Sequence, residues 1–448
     1  MQAKQFIEEN LENMKKDLKS LIDINSVYSD DVKPFGSGPR KALDQALKLM
    51  EEKGLKTTNV DYYCGFGDVG QGDKLVGILA HLDVVPAGDG WDSDPFNMIE
   101  KDGRLYGRGV SDDKGAAIAS MYALKYLIDE GFEFKKTFRL LLGCNEESGS
   151  KCIRYYVSKY GDVDYGFTPD GNFPGIYAEK GLLCATLSTK KSKIIKIEGG
   201  DVSNAVCKKV TALVPADSFN KDKLTKYFDE HKISYEINEG KDTEITVHGQ
   251  AAHASTPDLG VNAFNYLMDG LYNSDFNDNF VNWIEKNFGL DLHGERLGFE
   301  DLKDDISNTS INLGVMSTKE DGEINVSLDM RFPVKTTSEK VLKLLDISDE
   351  DNKCVVDELE NPLYFDINSP MIKALKKAYV DVTGDSQSEM EAIGGGTYAK
   401  AIKNIIAFGC EFQGEENHIH DVNEKLDIDS LKKQVEIYIE AIKNLNEI

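Results

Sequence analysis

The chain has 448 residues, of which 40% are hydrophobic and 29% are charged. This length predicts two or three domains, and the composition excludes fibrous, low-complexity and disordered proteins. Lys and Arg total 52 against 78 Asp and Glu, a net charge of −26. Such an acidic surface repels phosphate backbones and anionic lipids, so we expect neither nucleic acid nor a membrane as a partner.

The sequence also indicates the cellular compartment in which we expect the protein. No stretch approaches the roughly 20 apolar residues of a membrane span, and the first residues lack the basic-then-apolar layout of a signal peptide. We therefore expect a cytoplasmic protein. The seven cysteines are scattered and include no CxxC pair, which argues against a disulfide framework and against a thiolate zinc site.

The first part of the chain alternates between predicted helices and strands. Apolar residues recur at helical spacing from Phe6 to Ile22, and a buried strand at 75–80 follows. A helix is predicted from Lys114 to Glu130, and the apolar runs 138–144 and 164–168 each lead into acidic residues. This pattern predicts an α/β catalytic domain with a mostly parallel sheet and flanking helices, in which polar groups meet at the carboxyl ends of strands.

The character of the sequence changes past about Gly181. Residues 323–332 alternate strictly, with Asp329 and Arg331 opposite an apolar face, which predicts a sheet with one solvent-facing side. Helical periodicity resumes from about Asn361. We therefore predict an inserted α+β lid domain at 182–358, between two parts of the catalytic domain at 1–181 and 359–448.

Acidic residues cluster at the ends of the predicted parallel strands. His81 ends one strand, and an alternating strand would place the Asp83 carboxylate where it accepts a ring N–H of His81. The other acidic residues at these positions are Asp112, Asp113, Glu146, Glu147 and Asp170. Any one of them alone is typical of a solvated loop. Together they would bring like charges into one crevice, which is costly unless cations neutralise them.

The residue types indicate which cations these are. Carboxylates and imidazoles without thiolates suit zinc, manganese or cobalt, and one bridging Asp can hold two ions together. Of two neighbouring glutamates, one can bind metal while the other acts as a general base for a water that bridges the metals. The sequence therefore predicts a co-catalytic site with two divalent ions.

Six strings in order along the chain resemble the aminoacylase/carboxypeptidase G superfamily of di-metal peptidases. They are His81-Leu-Asp-Val-Val-Pro86, Gly107-Arg-Gly-Val-Ser-Asp-Asp-Lys-Gly115, Asn145-Glu-Glu-Ser-Gly149, Thr168-Pro-Asp170, Gly249-Gln-Ala-Ala-His-Ala-Ser-Thr-Pro257 and His420-Asp-Val-Asn-Glu424. Within the superfamily, residues 91–96, 394–399 and the long insertion are most similar to the bacterial dipeptidase V type.

The resemblance implies a role for each candidate ligand. His81 and Asp170 would bind one metal, Glu147 and His420 the other, and Asp112 would bridge them. His420, rather than the nearby His418, directly precedes the matching Asp-Val-Asn-Glu string. The resemblance also implies a cis peptide bond between Asp112 and Asp113.

The resemblance further implies catalytic and substrate-binding residues. Glu146 would be the general base, and His253 would face the developing oxyanion. Arg331 would pair with the substrate carboxylate, with Asn204 and the backbone around Gly395 as further contacts. The segment 201–209 departs from the sequence that is usual in the family, which weakens the assignment of Asn204 as a substrate contact.

These roles predict a metal-dependent dipeptidase that cleaves short peptides, mainly dipeptides. One alternative is an N-acyl-amino-acid amidohydrolase of the same superfamily, such as an aminoacylase or a desuccinylase. A second is a catalytically silent binding protein, which would lack a ligand or the base, whereas every one of these residues is present. The predicted lid domain is longer than one small α/β lid requires. We expect that it completes the site without a second chain, so we also expect a monomer.

Overall fold

A computed structural model of the chain describes residues 2–448, except the side chain of Asp301. The described chain divides into two compact units. The first unit comprises the residues up to Tyr177 together with Phe365–Glu391 and Thr397–Ile448; the second comprises Ala178–Tyr364 and Ala392–Gly396. The predicted insertion, 182–358, falls inside the second unit.

Helices and strands alternate over most of the described chain. The helices are α1 (Ala3–Ile22), α2 (Ser37–Glu52), α3 (Lys114–Asp129), α4 (Lys151–Tyr160), α5 (Lys221–Glu230), α6 (Ala263–Asn273), α7 (Asn279–Asn287), α8 (Ser338–Leu344), α9 (Pro370–Thr383) and α10 (Ile428–Asn446). The strands are β1 (Lys56–Val60), β2 (Cys64–Val69), β3 (Leu75–His81), β4 (Ile99–Lys101), β5 (Arg104–Tyr106), β6 (Thr137–Gly143), β7 (Tyr165–Thr168), β8 (Ile176–Glu179), β9 (Gly181–Thr189), β10 (Lys196–Gly199), β11 (Lys209–Pro215), β12 (Ser234–Asn238), β13 (Asp242–His248), β14 (Ser310–Thr318), β15 (Ile324–Phe332), β16 (Asn352–Glu360), β17 (Leu363–Tyr364), β18 (Glu391–Ile393), β19 (Ile405–Ala407) and β20 (Lys425–Asp427).

The sheet of the first unit is parallel at its centre. Strands β6, β3, β7 and β19 are parallel neighbours, while β2 pairs antiparallel with β6 and β1 pairs antiparallel with β2. This confirms the predicted α/β class with a mostly parallel sheet and flanking helices. Because the carboxyl ends of parallel strands lie at one edge, the segments that follow β3, β6, β7 and β19 gather there.

The helices of the first unit bury the apolar residues that their spacing predicts. Helix α1 buries Phe6, Met14 and Leu18 among others, and both α1 and α10 pack against α3. Helix α3 is buried on almost all sides and ends at Asp129. Gly131 follows with φ of +66°, the left-handed conformation expected of a glycine that ends a helix.

The second unit is built on an eight-stranded sheet, in the order β12-β13-β11-β10-β14-β15-β9-β16. One face carries a hydrophobic core with residues of α5, α6 and α7, and Val326 and Leu328 of β15 belong to it. The prediction that the opposite face of β15 is solvent-exposed is wrong at its carboxyl end. Asp329 and Arg331 are only 2% and 8% exposed, because they pair with each other and lie beside polar residues of β14.

None of the helices among residues 2–448 combines the length and the apolar character that a membrane span requires.

Candidate metal centre

The candidate metal ligands all lie in the first unit, close to strand ends or helix starts. His81 is the last residue of β3, Glu147 follows β6 and Asp170 follows β7, while Asp112 precedes α3 and His420 precedes β20. The ligand atoms of His81, Asp112 and Glu147 all lie within 4.8 Å of one another. Residues from distant parts of the sequence thus meet at the edge where the parallel strands end.

Asp112 lies between two histidines. Its Oδ1 is 2.9 Å from Nε2 of His81, and its Oδ2 is 3.0 Å from Nε2 of His420. Nε2 of His420 is also 3.2 Å from the Glu147 carboxylate. Each oxygen of Asp112 therefore faces a different imidazole, which is the arrangement expected of a carboxylate that bridges two ions.

The hydrogen bonds of His81 show whether the donor atoms of these residues are arranged to bind a metal ion. Nδ1 of His81 lies 2.9 Å from the main-chain oxygen of Asp83. A carbonyl oxygen only accepts, so Nδ1 carries the hydrogen, and in the neutral ring Nε2 then directs a lone pair at an oxygen of Asp112. A cation or a proton between these two acceptors resolves the conflict, and a nitrogen and oxygen donor set without thiolates suits zinc, manganese or cobalt.

The role expected for the Asp83 carboxylate is wrong in its detail. Its Oδ1 is 3.7 Å from Nδ1 of His81, which bonds to the main-chain oxygen of Asp83 instead, because β3 ends at His81 and the alternation stops there. The carboxylate accepts hydrogen bonds from the main-chain N–H of Glu146, at 3.0 Å, and of Glu147, at 3.2 Å. Asp83 therefore orients the glutamate pair.

The two neighbouring aspartates serve different groups. Asp112 faces the imidazoles, whereas Oδ2 of Asp113 accepts the main-chain N–H of His81 at 3.1 Å inside the protein. The peptide bond between Asp112 and Asp113 is cis. Asp113 thus supports the backbone that carries His81.

Glu424 organises the segment before Asp112, a role that the sequence reasoning missed. Its carboxylate accepts the main-chain N–H groups of Gly109 and Ser111, both at 2.9 Å, and of Asp112 at 3.1 Å. It also pairs with Arg108. The sequence signal was present, because Glu424 ends the string that begins at His420.

The electrostatics of the cluster favour a bound cation. Burial raises the pKa of Glu146 well above its usual range, with a further contribution from the charge of Asp170. Burial also raises the pKa of Asp170 to about 6, helped by Asp112, and that of Asp83 to about 6. Hydrogen bonds to Asp112 and Glu147 raise the pKa of His420 to about 10. A bound cation would offset the excess negative charge and so lower the pKa of these carboxyl groups.

Tyr398 packs against the ring of His81, a contact that the sequence reasoning did not predict. Its ring meets the His81 ring edge-on, with the centroids 5.9 Å apart, and its main-chain N–H donates to Oδ2 of Asp170 at 3.3 Å. A Cβ at Gly143 would lie 1.8 Å from the Tyr398 hydroxyl oxygen, so only glycine fits there. Tyr398 therefore supports two candidate ligands, His81 at the end of β3 and Asp170 after β7.

Glu411 is a further acidic residue of the centre that the sequence reasoning did not single out. It is half-buried and follows β19, the fourth parallel strand. Burial and the charges of Asp112 and Asp170 raise its pKa to about 7. The sequence signal was the apolar run at 404–408, which was not assigned to a strand but contains β19 and precedes Glu411.

The four remaining candidates, His253, Arg331, Asn204 and Gly395, lie in the second unit. His253 and Asn204 are on adjoining loops, because the main-chain N–H of Ala254 donates to the main-chain oxygen of Asn204 at 2.9 Å. Nδ2 of Asn312 donates to the main-chain oxygens on both sides of Asn204.

Arg331 and Gly395 connect to these two loops. Asn312 lies opposite Asp329 in the β14–β15 pair, and Asp329 accepts from Nε and Nη2 of Arg331 at 2.8 and 3.0 Å. Nδ1 of His253 is 2.7 Å from Oγ of Ser255, and a Cβ at the glycine before Gly395 would come within 2.7 Å of Ser255. The second unit thus brings its four candidate residues into one neighbourhood.

Comparison with known proteins shows the family. Residues 77–444 match the model of peptidase family M20/M25/M40. The chain belongs to this family. It is therefore a hydrolase of the metallopeptidase class, and the family implies binding of divalent metal.

Curated relatives cover nearly the whole chain. A Staphylococcus haemolyticus protein provisionally named a dipeptidase is 35% identical over 457 residues, which is 96% of each chain. A Bacillus subtilis protein with the same provisional name is 32% identical, covering 97% of each chain.

Solved structures share the fold. Human carnosine dipeptidase 1 has a TM-score of 0.62 at 15% identity, over 100% of this chain and 98% of that one. A tripeptidase from Staphylococcus aureus has a TM-score of 0.59 at 16% identity, over 98% and 99%.

Proposed function

We propose that this peptidase is a dipeptidase that hydrolyses the peptide bond of short peptides, mainly dipeptides. The observation that carries the proposal is Asp112, with one oxygen facing His81 and the other facing His420, beside the loop that holds Glu146 and Glu147. The dipeptidase names of its relatives point to the same substrate class.

Two divalent ions, zinc or alternatively manganese or cobalt, would complete the centre. His81 and Asp170 would hold one, Glu147 and His420 the other, and Asp112 would hold both. The ions would polarise the substrate carbonyl and make water more acidic.

Glu146 moves the proton in this proposal. Asp83 fixes the main chain of Glu146, and burial raises the pKa of its carboxyl above the usual range, the direction that suits a group that takes a proton and gives it back. Glu146 takes a proton from the attacking water and gives it to the leaving amine. His253 donates a hydrogen bond to the oxyanion that develops, an interaction typically worth about 2.7 to 4 kcal/mol.

Groups that bind both ends of the substrate would restrict its length. Asp329 orients Arg331 through two hydrogen bonds, and the guanidinium suits a substrate carboxylate. Asn204 and the backbone at Gly395 add contacts at the same end. Glu411 would hold the N-terminal ammonium, because its carboxyl lies in the field of Asp112 and Asp170, where a cation is favourable. A substrate held at both ends is short.

The substrate class is tested with a panel of compounds. We would measure kcat/KM for free dipeptides, tripeptides, N-acetyl amino acids and N-succinyl amino acids, each with zinc, manganese or cobalt added. Free dipeptides should be the best substrates by about tenfold or more. A preference for N-acyl amino acids would replace the proposal with the amidohydrolase function.

We further propose that the enzyme acts as a monomer in the cytoplasm, with the second unit as its substrate-binding lid. We infer the monomer from the length of the inserted domain, Ala178–Tyr364, which exceeds what one small α/β lid requires. Sedimentation that shows a tight dimer would refute it.

A further inference from the structure

His420 lies near the tip of a short loop of the first unit, residues 417–425. The main-chain N–H of Lys425 donates to the main-chain oxygen of Asn417 at 2.9 Å and closes the loop at its base. Asn417 and Glu424 are buried, whereas 54% of the His420 side chain is exposed. Packing therefore holds the base of the loop more firmly than the part that carries His420.

The backbone of this loop is unfavourable when taken alone. His418, His420 and Asn423 have φ of 55°, 60° and 59°. These values lie in the left-handed region, which is costly for a residue with a Cβ and persists where the surrounding structure holds it. Contacts from another part of the chain must therefore keep the loop in this shape.

Asn423 supplies such contacts through Asp92, a residue 331 positions earlier in the chain. Oδ1 of Asn423 accepts the main-chain N–H of Asp92 at 2.9 Å, and Nδ2 of Asn423 donates to Oδ2 of Asp92 at 3.3 Å. Within the part of the chain that the structure describes, these are the hydrogen bonds that join 418–423 to other segments, besides the contacts of His420 with Asp112 and Glu147. The position of His420 thus depends on Asn423.

Trp91 anchors Asp92 to the interior of the first unit. Nε1 of Trp91 donates to the main-chain oxygen of Ala87 at 2.7 Å, and the guanidinium of Arg108 lies 5.2 Å from the centroid of the Trp91 ring. Arg108 is buried and pairs with Glu424 at the base of the loop. Asp92 is therefore attached to the same buried ion pair that fixes the base of the loop.

We propose that Asp92 and Asn423 form a clamp that positions His420 and so sets the affinity for one of the two divalent ions. The inference rests on the proposed function, in which His420 and Glu147 hold that ion. The clamp acts through His420, so Asp92 and Asn423 are positioning residues. Groups that orient the ligands of a metal typically change its affinity by about 10- to 100-fold.

The clamp should affect the two ions differently. His81 and Asp170, the proposed ligands of the other ion, lie at the end of β3 and after β7, and both contact Tyr398. Neither is part of the loop 417–425. Loss of the clamp should therefore weaken the binding of one ion and spare the other, whereas a general loss of stability would not single out one ion.

The test compares a variant that breaks the clamp with one that keeps its hydrogen bonds. Asn423→Gly deletes the side chain, and glycine accepts the left-handed backbone without added strain. The double variant Asp92→Asn with Asn423→Asp keeps the net charge, and the carboxylate at position 423 can accept both the main-chain N–H and the side-chain amide of residue 92.

We would titrate each chelated protein with zinc or manganese by calorimetry. Asn423→Gly should bind one ion about tenfold or more weakly and the other ion as the wild type does. The double variant should bind both ions with the affinities of the wild type.

Asn404→Gly is the matched control. Asn404 is also left-handed, with φ of 67°, and its Nδ2 donates to the main-chain oxygen of Val163 at 2.8 Å. It precedes β19, at the end of that strand away from the candidate metal centre. The variant loses a side-chain hydrogen bond in the same kind of backbone, so it should keep both wild-type affinities whatever the change in its Tm.

The outcomes separate this inference from the proposed function. An Asn423→Gly protein that binds both ions as tightly as the wild type overturns the inference alone, and so does an equal loss for both ions or an equal loss in Asn404→Gly. A double variant as weak as Asn423→Gly also overturns it, because the hydrogen bonds would not be what positions His420. If the wild type binds fewer than two ions, the proposed two-ion centre fails and takes this inference with it.

Discussion

Arg108 and Glu424 form an ion pair inside the first unit, with Nη1 of Arg108 2.8 Å from Oε2 of Glu424. Both side chains are almost completely buried, at 2% and 1% exposure. Glu424 also accepts three main-chain N–H groups of the segment that ends in Asp112. One buried carboxylate thus links the stability of the first unit to the position of Asp112, the proposed bridging ligand.

Glu424→Gln should weaken metal binding and stability together. The amide keeps the shape but leaves the Arg108 charge unpaired in the interior, a loss of about 3 to 5 kcal/mol in the free energy of unfolding. The substitution should also displace the segment that ends in Asp112, and the affinity for metal should then fall about 10- to 100-fold. Thermal unfolding and calorimetric metal titration measure the two effects. Glu416→Gln, at an exposed position of the same segment, is the control; equal metal affinity in both variants would contradict this role for Glu424.

Glu146→Ala should keep its metal but lose most of its activity. The neighbouring Glu147, which is the proposed ligand, remains, whereas the carboxyl group proposed to transfer the proton is gone. General acid–base catalysis contributes about 10²- to 10⁴-fold, so kcat should fall by a factor in that range. Metal content and dipeptide turnover are measured on the same preparation. Normal turnover would remove Glu146 from the mechanism.

Metal should stabilise the protein more at pH 7.5 than at pH 5. In the chain without metal, burial raises the pKa of Asp83 and of Asp170 to about 6, above the usual value of about 3.9 for an aspartate. Protonation of such groups favours the folded state, so their contribution is complete below pH 4 and is lost as the pH rises through 6.

At higher pH these carboxyl groups are charged, and divalent ions at the centre offset the excess negative charge. The rise in Tm when zinc or manganese is added to chelated protein should therefore be larger at pH 7.5. An equal or larger rise at pH 5 would show that the ions bind elsewhere.

Arg331→Lys should mainly raise KM. Lysine keeps the charge but cannot make the two parallel bonds to Asp329 that orient the guanidinium. We expect KM for alanyl-alanine to rise about tenfold or more, since hydrogen bonds to charged groups are worth about 1.5 to 3 kcal/mol. The wild type should also prefer alanyl-alanine to its C-terminal amide, and the variant should lose that preference. An unchanged preference would argue against a carboxylate contact at Arg331.

The sequence predicted the elements that depend on local periodicity. The strand that ends at His81, the helix after Asp113 and the parallel direction of the central strands follow from apolar patterns and from the alternation of strands and helices. The side-chain details did not follow, because they depend on residues far apart in the chain. Glu424 bonds to Ser111 across 313 positions, and no local pattern encodes that contact.

The errors have a similar physical origin. The bond expected from the Asp83 carboxylate assumed that β3 extends past His81, whereas the strand ends there. The solvent-facing side expected for β15 assumed that charged residues are exposed, whereas Asp329 and Arg331 neutralise each other and are buried. In both cases tertiary contacts override the expectation from the alternation.

The order in which the centre's residues occur along the chain has a consequence for synthesis. His81, Asp112, Glu147 and Asp170 are translated before the second unit, whereas His420 and Glu424 are translated after it. The Asp112 segment can form its three N–H bonds to the Glu424 carboxylate only once residue 424 has been translated. If these residues form the active site, a nascent chain stays inert toward the peptides around it until residue 424 has been translated.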